Sequence, residues 1–109
     1  MNAKDIIVVT TEHVPGKEVV EIKGLVRGNT IRVRHIGKDI GAMFKTIVGG
    51  EVTEYTKMMA ESREQALDRM REEAQSLGAN AITMTRFSTN SMMQGAAEIL
   101  VYGTAVVVK

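Results

Sequence analysis

The chain has 109 residues and a mass of 11.9 kDa, enough for one domain spanning 1–109. Apolar residues at 44% and charged residues at 25% exclude a disordered chain or a coiled coil. The absence of cysteine excludes disulfides, thiolate-bound zinc, iron–sulfur clusters and a cysteine nucleophile, and a net charge of +1 gives no sign of a nucleic-acid partner. Apolar runs such as Ala105 to Val108 are far too short to span a membrane. The N-terminus, Met1-Asn-Ala-Lys-Asp5, lacks the apolar stretch of a signal peptide. The expectation is a cytoplasmic protein with no membrane segment.

Taken in order, Ile6–Thr11 is β-branched throughout and predicts a short strand. Val14-Pro15-Gly16-Lys17 predicts a turn, because proline presets φ and glycine accepts a positive φ. Val19–Gly28 alternates, with Val20, Ile22 and Val26 on one face and Glu21, Lys23 and Arg27 on the other. Gly28-Asn29 is then a tight turn, and Thr30–His35 extends the sheet with Ile31 and Val33 inward and Arg32 and Arg34 outward. Lys23, Arg27, Arg32, Arg34 and Lys38 form a modest basic cluster, read as the solvating charges of a surface strand.

From Gly37 the period changes. Ile40, Met43, Phe44, Ile47 and Val48 mark one face of a short helix that Gly49-Gly50 ends. A long helix over 53–77 follows, with Thr53 as its N-cap and Gly78 just past its end. Its buried stripe is Tyr55, Met59, Ser62, Ala66, Leu67, Met70, Ala74 and Leu77, opposite a face carrying Glu61, Glu64, Asp68 and Glu72. Asn80–Phe87 predicts a strand, Ser88-Thr-Asn-Ser91 a polar loop, and Ala97–Val108 a final strand. That last strand is apolar on both faces, with Ile99, Val101, Ala105 and Val107 on one and Leu100, Tyr102, Val106 and Val108 on the other. Strands, two helices, then strands define an α+β fold, an antiparallel-rich sheet packed on one long and one short helix. A chain this short has little helix left to cover a second apolar sheet face, so the pattern predicts a homo-oligomer. The competing expectation is a central strand with a helix on each face.

No phosphate loop, nucleophile elbow or dinucleotide fingerprint occurs, and no catalytic constellation is visible. His13 and His35 are the metal candidates. Either needs carboxylates such as Glu12, Glu51 or Glu98, or ligands from two subunits. Adjacent Met58-Met59 and Met92-Met93 diverge along their elements, so the eight methionines read mainly as core filler where aromatics are scarce.

Several stretches resemble the YbjQ family of small bacterial proteins, whose function is unassigned and whose label is heavy-metal-binding. They are Gly24-Leu-Val-Arg-Gly28, Ile47-Val-Gly-Gly-Glu-Val-Thr-Glu-Tyr-Thr56, Ser62-Arg-Glu-Gln-Ala-Leu67, Ala74-Gln-Ser-Leu-Gly-Ala-Asn-Ala-Ile82 and Val101-Tyr-Gly-Thr-Ala-Val-Val-Val108. The resemblance implies a sheet on a long helix and a ring-shaped homo-oligomer, a pentamer. The family label implies a divalent or heavy metal ion as cofactor, against which stands the absence of thiolate. Among the matching polar residues, Arg27, Glu54, Tyr55, Thr56, Arg63 and Asn80 either line an intersubunit pocket or cap helices and pair across the interface. Arg27, Tyr55, Arg63 and Asn80 are the pocket candidates. The leading expectation is a non-enzymatic oligomeric binding protein for a small ligand or metal ion at intersubunit clefts. The alternative is a scaffold docking a partner through the charged face of helix 53–77.

Overall fold

The structure, a computed structural model, describes residues 2–33 and 53–109. A 3-10 turn, Ala3–Asp5, leads into β1 (Ile7–Val8), followed by β2 (Val19–Val33), the helix α1 (Thr53–Ser76), β3 (Ala81–Met93) and β4 (Ala96–Val108). The four strands form one mixed sheet in the order β1-β3-β4-β2. β2 and β3 both run antiparallel to the central β4, and β1 adds in parallel to the start of β3. The fold is α+β, as expected. The predicted short helix over Gly37–Val48 lies outside the described residues.

Several local signals act as read. Lys17 N donates to Val14 O at 3.1 Å across Pro15-Gly16, and Gly16 has φ +77°, the geometry that proline followed by glycine favours. The end of α1 is a Schellman motif. Ala79 N donates to Ala74 O at 3.1 Å, Gly78 N to Gln75 O at 3.0 Å, and Gly78 has φ +84°. Ala74 and Ala79, the first and last residues of that motif, are both buried in the same apolar cluster.

The main core lies between α1 and one face of the sheet. Ala66, Met70 and Ala74 of the helix meet Val26, Ile82, Ile99, Val101 and Ala105 of the strands, with Ile6 and Ala79 closing the ends. The helix rests on β2 and β4 and barely reaches β3. Small residues permit the closeness. A Cβ at Gly28 would collide with the carbonyl oxygen of Ala66 and come within 2.6 Å of Met70 N. Leu77, read as the last residue of the buried stripe, is exposed instead, because the helix ends at Ser76 and the chain turns through Gly78.

Two of the expected interruptions are absent. Gly28-Asn29 does not turn: β2 runs unbroken to Val33, with Gly28 opposite Val101 and Asn29 opposite Leu100. Glycine stands there for helix approach, not for a bend. Ser88–Ser91 is likewise no loop but part of β3, and the reversal is delayed to Gln94-Gly95, where Gly95 has φ +82°.

The pattern of faces also departs from simple alternation. Register shifts at Val20 and at Lys23 insert extra residues into β2, and a third lies between Thr83 and Arg86 in β3, where Met84 has φ +54°. An inserted residue exchanges the two faces. So Val26 is buried against α1 while Ile22, predicted to share its face, is 70% exposed. Downstream the alternation is regular, and because no turn intervenes at Gly28-Asn29, Arg32 shares the helix side with Val26 and Ile31 points away, the reverse of the expectation.

The doubly apolar β4 has a partial explanation within one chain. Val106 and Val108 pack on the face away from α1 against Ala81 and Val14, with Ile7 and Val9 beside them. Among the described residues it is the N-terminal segment that covers that end. Farther along the same face the cover stops, and Leu25, Ile31 and Tyr102 are exposed.

Candidate functional site

Within one chain, Arg27, Arg63 and Asn80, expected to line a pocket between subunits, do not converge. Arg27 is exposed opposite Tyr102, on the face away from α1. Asn80 sits beside the far end of β4, six residues from Tyr102, or about 20 Å along an extended strand. There its amide closes the sheet end, with Nδ2 donating to Val108 O at 2.8 Å and Val108 N donating to Oδ1 at 2.8 Å. Arg63 is exposed on α1, next to the buried Ser62. Tyr55 belongs to the first turn of α1, but its side chain lies outside the described residues. His13 is exposed in the turn before β2, its carbonyl accepting from Thr11 Oγ1 at 2.6 Å. It borders an open cleft of about 450 Å³ with Glu12, Lys17 and Glu18. His35 lies outside the described residues.

The described residues do not fit a metal centre within one chain. No three His, Asp or Glu side chains among them come together to hold an ion, and thiolates are absent from the sequence. No helix among the described residues is long and apolar enough to cross a membrane.

The polar structure that does form runs along β2 and was missed in the sequence. Arg32 Nε donates to Ser62 Oγ at 2.6 Å and Nη2 to Gln65 Oε1 at 2.9 Å. Ser62 is fully buried; its hydroxyl in turn donates to Met58 O at 2.8 Å, and its carbonyl accepts from Thr30 Oγ1 at 3.2 Å. One turn along, Arg69 Nη1 donates to Asn29 O at 2.6 Å. Asn29 Nδ2 reaches Glu98 Oε2 at 3.2 Å, and Asn90 Nδ2 reaches Glu98 Oε1 at 3.4 Å, so three adjacent strands are tied side chain to side chain. The helical spacing of Ser62, Gln65 and Arg69 was the one signal in the sequence, since all three lie near the edge of the apolar stripe.

Two clefts flank this network. The first, about 540 Å³ and open, wraps the outer edge of β2 and is bordered by Arg27, Gly28, Asn29, Arg69, Glu73, Glu98 and Leu100. The second, about 320 Å³, lies at the turn end of the β3–β4 hairpin. Its floor is a cross-strand row of Arg32, Ala97 and Ser91, with Thr89 in the next row. Met58 and Met59 of α1 and Met93 of β3 also line it, with Gln94, Gly95 and Ala96 at the turn. Methionines thus divide between core and cleft. Met70 is fully buried, whereas Met93 is 67% exposed and Met84 and Met92 are exposed as well.

A long helix packed on one face of a four-stranded mixed sheet defines a small α+β domain. The chain belongs to the YbjQ family, whose model is described as "Putative heavy-metal-binding" and matches residues 6–109. It is 57% identical over 103 residues to a UPF0145 protein of Archaeoglobus fulgidus, covering 94% of this chain and 95% of that one. A UPF0145 protein of Clostridioides difficile is 56% identical over 103 residues, covering 94% and 92%. The fold is similar to the crystal structure of a protein of unknown function assigned to the DUF74 family from Pediococcus pentosaceus. That match has a TM-score of 0.65 at 15% identity and covers 95% of this chain and 98% of that one.

Proposed function

We propose that the protein is a non-enzymatic binding module that assembles with copies of itself and takes a small ligand or a metal ion in clefts between copies. The observation that supports this reading is the state of β2. Among the described residues this 15-residue strand pairs only with β4, so its outer edge is open. Its face away from α1 presents Ile22 and Leu25, 70% and 63% exposed. A long open edge beside an apolar face invites pairing with another chain, and monomers normally blunt such edges. The cleft around Arg27, Asn29, Arg69 and Glu98 straddles that edge, so a docked neighbour would enclose it. A ring, and in particular a pentamer, is the assembly that the family resemblance favours. A metal ion would draw its ligands from more than one copy.

Sedimentation and native mass spectrometry test the assembly. A mass above the 11.9 kDa of one chain is expected at micromolar concentration, and a single-chain mass overturns the reading. Calorimetric titration with Zn(II), Ni(II), Cu(I) and Cd(II) tests the metal version, which ends if none gives heat.

A second reading rests on the outer face of α1, where Glu61, Glu64, Asp68 and Glu72 are exposed. The one ion pair described there is a long contact of 3.4 Å between Asp68 and Arg71. Such a face suits a scaffold that docks a basic partner. Reversing charge at Glu64, Asp68 and Glu72 should then remove that partner from a pull-down, and unchanged capture would end the idea.

A further inference from the structure

We infer that the cleft at the turn end of the β3–β4 hairpin is a binding site for a small carboxylate with an aliphatic body, held by Arg32. The inference rests on the reading of the protein as a binding module, and it places a ligand in a cleft that one chain already builds. Arg32 is half-buried and makes no ion pair among the described residues. Its two hydrogen bonds go to neutral acceptors, the Ser62 hydroxyl and the Gln65 amide oxygen, which fix the guanidinium without neutralising it. Two of its five N–H groups are used in this way, leaving donors for a further acceptor. A partly buried guanidinium without a counter-ion attracts an anion, and its planar fork suits a carboxylate.

The rest of the lining selects the class. Among the described residues no acidic side chain lines this cleft, in contrast to the surface on the other side of Arg32, where Glu61, Glu64 and Asp68 gather. Ser91, cross-strand from Ala97 beside Arg32, adds a hydroxyl donor to the same floor. Met58, Met59 and Met93 supply an adaptable apolar wall for an aliphatic chain, since thioether side chains are flexible and polarisable. A volume of about 320 Å³ stands at the small end of ligand-sized cavities, which excludes large molecules.

The test uses the full chain with ¹³C-labelled methionine methyl groups, titrated separately with sodium hexanoate, sodium acetate and hexylammonium chloride. Hexanoate should shift the Met58, Met59 and Met93 methyls saturably. Acetate, which lacks the aliphatic body, should bind at least about tenfold more weakly. Hexylammonium should leave them unmoved. Arg32→Gln should weaken hexanoate by about tenfold or more. Because Arg32 also ties β2 to α1, Ser91→Asp serves as the second variant: it adds a carboxylate at an exposed strand position and leaves the Arg32 hydrogen bonds in place. It too should suppress hexanoate binding. Equal shifts with hexylammonium, shifts that never saturate, or unchanged hexanoate binding in Ser91→Asp overturn the inference. Failure here with an intact oligomer removes this site alone, whereas a single-chain sedimentation mass removes the oligomeric reading and leaves the titration standing.

Discussion

Gly28 of β2 lies so close under the carbonyl of Ala66 in α1 that no side chain fits between them. The contact sets the distance between helix and sheet and, with it, the positions from which Ser62, Gln65 and Arg69 reach β2. Gly28→Ala tests this directly. Removing a glycine from the unfolded chain would stabilise by about 0.4–1 kcal/mol, but overpacking against rigid helix backbone costs about 1–3 kcal/mol or more. The second effect wins. Urea denaturation should show a net loss of about 2 kcal/mol, and an unchanged midpoint would contradict the packing described.

Asn80 closes the end of the sheet by exchanging two hydrogen bonds with the backbone of Val108. Asn80→Ala leaves both backbone groups without that partner in a part-buried place, a cost of about 1–3 kcal/mol. The Val108 amide should also exchange faster with solvent than its neighbours in β4. Asp at this position keeps the acceptor and loses the donor, so Asn80→Asp should recover little of the loss.

Thr85 gives the opposite expectation. Its hydroxyl is buried and has no hydrogen-bond partner in the structure, so it bears a desolvation cost with no return. Thr85→Val keeps the shape and removes the hydroxyl. Stability should stay level or rise by up to about 1 kcal/mol, read as an unchanged or higher denaturation midpoint. A clear loss would mean that the hydroxyl is bonded in solution.

Leu25 is exposed in the single chain, so replacing it should cost the isolated domain little. In the proposed assembly the same side chain is covered, and Leu25→Asp would place a charge in an apolar contact. Sedimentation of the variant should therefore shift toward the mass of one chain while its far-ultraviolet circular dichroism stays native. An unchanged mass would show that the face lies outside any interface.

The sequence speaks most clearly where one local effect dominates. The 3.6-residue stripe of α1, the left-handed glycine at its end and the Pro15-Gly16 turn each depend on neighbours within a few residues, and each is found. What alternation could not reveal was the bulges. The register shifts in β2 exchange its faces, so Ile22 leaves the core side, whereas Arg32 joins it by plain alternation from Val26 because no turn intervenes at Gly28-Asn29. The Gly28-Asn29 pair also has two physical uses, a bend or a close approach, and only the arrival of Ala66 decides between them. The candidate site is less legible than the fold. Arg32 and Arg69 look like solvating charges in the sequence, because their acceptors on α1 and β2 lie 30 to 40 positions away in the chain. Arg27, Arg63 and Asn80 are grouped by resemblance, which carries no information about distance in space.

Among the described residues the sheet has two open margins, and they are unlike. One is the whole outer side of β2; the other is the part of β3 from Phe87 to Met93, beyond the hydrogen bonds that the N-terminal segment makes as far as Thr85. Joining one margin to the other between copies is a polar, directional act: every addition leaves the same two margins free. Growth of that kind has no internal stop. It ends only if the rotation from copy to copy completes a circle, and otherwise continues as a fibre. In this chain the local twist of one margin is steepened by the bulges at Val20 and Lys23, so a deletion there bears on whether such growth closes.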